Sequence, residues 1–130
     1  MVGVERIRLI EGLFNEALNL LERGESIESS EKLYKAAEEC IKALAEKFSL
    51  EEFKAASEKG RWTVTLLEKA VGKLADKLGN DIGVAWDSAN YLHVWGFHET
   101  KLDAEDIRRR IPIIEKLIKI SREMLKGDVK

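Results

Sequence analysis

A chain of 130 residues is the size of one domain, with enough interior for a real core and little reason for a second. Charged residues make up 35% of it, yet 22 basic and 24 acidic side chains leave a formal net charge of −2, so no overall positive field draws it to nucleic acid and such binding needs a local patch. The single cysteine, Cys40, excludes an intramolecular disulfide, and with neither a secretory segment nor an apolar run of about 18 residues in view, a cytoplasmic protein without a membrane span is expected.

From Ile7, the apolar residues Ile7, Ile10, Leu13, Phe14, Ala17, Leu18 and Leu21 recur at spacings of three and four and predict a first helix that Gly24 stops. A second helix follows a serine-rich start, with Ser26, Ser29 or Ser30 as its N-cap and Leu33, Ala37, Cys40, Leu44 and Phe48 as its buried row. The short link makes the two antiparallel. Residues 50–59 form either a short helix or a loose connection ending at Gly60. Trp62 or Thr63 opens a third long helix, with Val64, Leu67, Val71, Leu74 and Leu78 on one side and Gly79 as its stop. A fourth runs from Asn80 or Asp81 to about Phe97. Asp103 caps the last, which carries Ile107, Ile111, Ile114, Leu117, Ile118 and Leu125. The only proline, Pro112, falls about two turns into that helix and predicts a kink near Arg108. With no strand-like alternation, repeat or linker, residues 1–130 read as a single all-α domain, an antiparallel bundle of four to five helices.

Residues 86–99 concentrate both histidines (His93, His98) and two of the three tryptophans (Trp86, Trp95), with Asn90, Tyr91 and Phe97 among them. Aromatic rings with polar tips are costly to bury and useful at sites, so function is expected here. On a helical wheel, Ile82, Ala89, His93 and Phe97 share a stripe with Trp86, while Val84, Tyr91 and Trp95 cluster on the opposite side, where a surface helix carries charges. A helix apolar on two sides is either enclosed in its own protomer or seated at a subunit interface; we read it as a homodimer interface of Val84, Tyr91 and Trp95.

Asn90, His93 and His98 are the candidate ligand-binding residues, although a buried His beside an Asn is more often an internal polar contact. His98, Glu99 and Asp103 match no metal-site spacing, and helix capping explains them better, so neither a metal nor another cofactor is expected. Arg108, Arg109 and Arg110, extended by Lys116, Lys119 and Arg122, form the one basic patch, but interleaved acids make a solvated, salt-bridged flank the simpler account. Cys40 lacks a neighbouring histidine or second cysteine and reads as a core residue. Glycine-rich phosphate loops are absent, which argues against dinucleotide-binding and P-loop enzymes.

The stretch SSEKLYKAAEECIKALAEKF, together with ANYLHVWGFHE and the Leu-rich last helix, resembles the archaeal PaREP family within the HEPN-like superfamily. That resemblance implies an antiparallel helical bundle paired with its own copy, in a superfamily that includes metal-independent ribonucleases and partners of minimal nucleotidyltransferases. The ribonuclease branch carries an arginine four to six residues before a histidine. Neither His93 nor His98 has one, so no catalytic residue carries over. The expectation is a non-catalytic, HEPN-like dimer that binds a nucleotide, RNA or a protein partner such as a nucleotidyltransferase. A ribonuclease with a rearranged His/Arg site, or a purely structural interaction module, are the alternatives.

Overall fold

The computed structural model describes residues 3–129, with side chains for residues 3–127. Helix α1 (Gly3–Glu22) ends where Gly24 takes a positive φ of 78°, with Gly24 N–H donating to Leu21 O and Glu25 N–H to Leu20 O. This left-handed stop reverses the chain within three residues. Helix α2 (Ser26–Lys47) therefore returns along α1. Antiparallel pairing shows in the cross-links: Ser29 Oγ donates to Ala17 O at 2.8 Å, Lys32 pairs with Glu16, and Arg6 pairs with Glu39 and Glu46.

The hub of the fold is α2, which packs against every other α-helix. Its Leu33, Ala36, Ala37, Cys40, Ile41, Leu44 and Ala45 are fully buried, on more than one side of the helix. The small residues in that row allow neighbours to approach closely, while each enclosed Leu or Ile contributes about 1.5–3 kcal/mol. Helix α3 (Glu51–Lys59) ends at Gly60, again with positive φ, and buries Ala56. Thr63 caps α4 (Val64–Leu78), its side chain accepting from Leu66 N–H; Leu67, Ala70, Val71 and Leu74 face inward. Val64, expected on that inner face, lies in the exposed first turn.

Helix α5 (Asp81–Tyr91) buries Ile82, Ala85, Trp86 and Ala89 and runs directly into a π-helical segment, Leu92–His98. A capping box of Asp103 and Asp106 then opens the five-residue α6 (Ala104–Arg108), followed by α7 (Ile111–Leu125) and a terminal 3-10 turn. The described residues hold no strand, and no helix among them is long and apolar enough to cross a membrane.

Three further expectations are corrected. Among the described residues, seven α-helical segments stand where four to five were expected. The kink at Pro112 is instead a break: α6 stops at Arg108, Arg109 and Arg110 make the turn, and Pro112 sits in the first turn of α7. A proline there has no intrahelical hydrogen bond to lose, whereas one long helix would force its ring against the Arg108 carbonyl. Finally, none of the serines caps α2. Glu25 holds that position, Ser26 begins the helix, and Ser29 and Ser30 are buried within it.

Candidate functional site

The π segment exists where the chain must pass close to α2. A Cβ on Gly96 would lie 2.7 Å from the Cβ of Ser30 and closer still to its hydroxyl, so only glycine permits this approach. Leu92 anchors the same segment in the core. Its wide winding continues in the exit, where Glu99 N–H donates to Val94 O at 2.8 Å. The winding has a direct consequence for the histidines. Five residues on an α-helix point about 140° apart, whereas i→i+5 bonding brings the fifth residue back toward the face of the first. His93 and His98 consequently meet, with their Nε2 atoms 3.2 Å apart, ring centroids 4.5 Å apart and planes at 81°.

His93 is held from the other side by α2. Its Nδ1 lies 2.8 Å from Glu31 Oε1 and its ring stacks on Tyr34 at 4.1 Å between centroids. A carboxylate only accepts, so Nδ1–H is the donor and, in the neutral ring, Nε2 keeps its lone pair facing His98. Phe97 flanks both histidines. Behind them Tyr34 meets Trp86, whose indole N–H donates to Glu68 on α4. Burial, followed by the carboxylates of Glu38, Glu31 and Glu68, pushes the Tyr34 phenol up to about 12. The cluster is thus aromatic in its floor and acidic at its rim. Asn90 is half-buried one turn before His93 and, among the described residues, bonds to neither histidine.

On the opposite face, Val84, Tyr91, Val94 and Trp95 are 50%, 40%, 42% and 44% exposed. Enclosure of this second stripe within its own protomer is therefore excluded. Val84 borders a cleft of about 270 Å³ shared with Asp81, Pro112, Ile113 and Lys116. The guanidinium of Arg110 lies over the Tyr91 ring at 4.1 Å, a cation–π contact, and donates to Asp106 O. Arg108 and Arg109 are exposed beside it. Two further members of the expected basic patch are paired locally, Lys116 with Asp81 at 3.1 Å and Arg122 with Glu11. No described contact joins His98 to an arginine.

Glu31, Tyr34, Glu38 and Glu68 escaped the reading of the sequence. Glu31, Tyr34 and Glu38 recur at spacings of three and four along α2, a polar stripe beside the buried row that marks a face turned toward other groups. Cys40 is fully buried and its thiol is pushed up to about 12, chiefly by burial, as suits a core residue.

These features define a class: an all-helical protein with a histidine pair made by a π segment and, among the described residues, no cluster of three or more metal-ligating side chains. The chain belongs to the archaeal PaREP1/PaREP8 family, whose model matches residues 5–118. It is similar to a Sulfolobus solfataricus protein of known crystal structure, with 35% identity over 90% of this chain and 96% of that one and a TM-score of 0.84. A solution structure of the same structural-genomics target gives 36% identity, 90% and 91% coverage, and a TM-score of 0.79. No curated protein matches the chain.

Proposed function

We propose that the chain is a non-catalytic binding module, a single HEPN-like helical domain of the cytoplasm that pairs with a second copy through Val84, Tyr91, Val94 and Trp95. It takes a nucleotide, an RNA end or a protein partner, such as a nucleotidyltransferase, at Asn90, His93 and His98. One observation carries this reading: a helix whose inner face is fully buried turns four large apolar or aromatic side chains to solvent, at 40–50% exposure, on the same segment as the histidine pair. Monomers rarely expose such a patch without using it. Arg110 stacks on Tyr91 in the stripe and follows the exposed Arg108 and Arg109 in sequence, which favours an anionic group there, whereas Glu31 beside His93 disfavours a polyanion lying across the histidines.

The ribonuclease alternative rests on the chain Glu31–His93–His98, since a carboxylate that orients one imidazole toward another is an arrangement used in general-base catalysis. Anisotropy of labelled mononucleotides and short RNAs, run beside a cleavage assay, separates the readings. Binding that weakens in His98→Ala, with RNA left intact, supports the module. Cleavage by the wild type that disappears in His98→Ala establishes the ribonuclease in its place.

A further inference from the structure

The two Nε2 atoms are placed as two ligands of one ion are placed. Nitrogens at the usual zinc distance of about 2.0–2.1 Å and a tetrahedral angle stand about 3.3–3.4 Å apart; His93 and His98 hold theirs at 3.2 Å, with the ring planes at 81°. The same separation admits a hydrogen bond from one ring to the other, which a bound ion would replace. The second feature is Glu31. Metal-bound histidines almost always donate their other N–H to a carboxylate or carbonyl, which fixes the tautomer and aims the ligand nitrogen, and Glu31 takes the Nδ1–H of His93 in this way at 2.8 Å. Stacking on Tyr34 locks the same ring.

We infer that His93 Nε2 and His98 Nε2 form a two-histidine site for a single zinc-class divalent ion. The inference deepens, and rests on, the reading of this cluster as a binding site. Among the described residues no third His, Cys, Asp or Glu joins the pair, so water fills the other positions and the ion stays open to an anionic or carbonyl group of a bound partner. Both nitrogens bind as lone pairs. His93, donating from Nδ1 to Glu31, presents one at Nε2, and His98 presents the other in the tautomer that carries its proton on Nδ1. Aligning both rings on the ion widens the centroid separation from 4.5 Å to about 5.2 Å, a small turn for the exposed His98 ring. Residue spacing alone hides the site, because five positions along an α-helix separate two side chains and only the π winding joins them.

The test is zinc titration of tag-free protein by calorimetry, with ¹⁵N-imidazole spectra of the same samples. The expected result is one zinc per chain with both histidines shifted at Nε2, at least tenfold weaker binding in the surface variant His98→Ala, and a 10- to 100-fold loss in Glu31→Gln. Metallation at Nδ1, an affinity in His98→Ala within twofold of wild type, or no zinc uptake at all overturns it. Nucleotide and RNA binding repeated with a chelator present keeps the two ideas apart. Retained binding with no zinc uptake defeats this inference alone, while loss of both defeats the binding-site reading as well.

Discussion

Replacing Gly96 with alanine tests the physical origin of the site. The added methyl would sit 2.7 Å from Ser30 Cβ and closer to its hydroxyl, while Ser30 is fully buried on the hub helix with its Oγ donating to Ser26 O at 3.0 Å. Nothing there yields cheaply. Relief requires the π segment to lift by about 1 Å and loosen Leu92, an overpacking cost of about 1–3 kcal/mol. Alanine returns about 0.5–1 kcal/mol through its better helix propensity, which leaves a net loss of up to about 2.5 kcal/mol and about 1 kcal/mol at mid-range. For a chain of this size 1 kcal/mol is a fall in Tm of about 3–6 °C. Urea unfolding followed by circular dichroism measures it, and imidazole chemical shifts report whether the histidines still meet. Ser30→Gly removes both clashing atoms. The double variant should be more stable than the sum of the single losses predicts, by about 1–2 kcal/mol. A Gly96→Ala protein as stable as wild type, or strictly additive losses, refutes the close-approach account.

Two further outcomes follow from ionisation. Because the Tyr34 phenol is pushed up to about 12, above its unfolded value near 10, the stability it confers is whole below about pH 10 and is lost as pH climbs toward 12. A near-ultraviolet phenolate transition at that high pH should vanish in Tyr34→Phe; its persistence would assign it elsewhere. Cys40, buried and pushed up to about 12, should ignore an aromatic disulfide reagent at about pH 8 until the chain unfolds, and prompt labelling of native protein would contradict its burial.

Much of the fold was legible because helices announce themselves by period and by their ends. The apolar rows of α1, α2 and α7, the stops at Gly24, Gly60 and Gly79, and the caps Thr63 and Asp103 each rest on neighbours within a few residues. What failed depended on distant partners. Ser29 and Ser30 look like caps until α1 and Gly96 approach them and turn them into tight packing points. The π winding has no local signature, and it falls where Gly96 approaches Ser30 on another helix. His93 and His98 were singled out for their chemistry, yet their meeting and the role of Glu31, 62 positions from His93, belong to tertiary structure. Pro112 on its own predicts a bent helix, whereas the turn at Arg109 and Arg110 lets the chain end one helix and start another.

The claim on which the functional account turns is that the exposed stripe is covered by a second copy. Sedimentation equilibrium at micromolar concentration, on wild type and on Trp95→Glu, addresses it directly. Wild type should show twice the mass of one chain and the variant, whose charge replaces a side chain 44% exposed, the mass of one chain. A wild-type mass of one chain, or a variant that still dimerises as tightly, contradicts it.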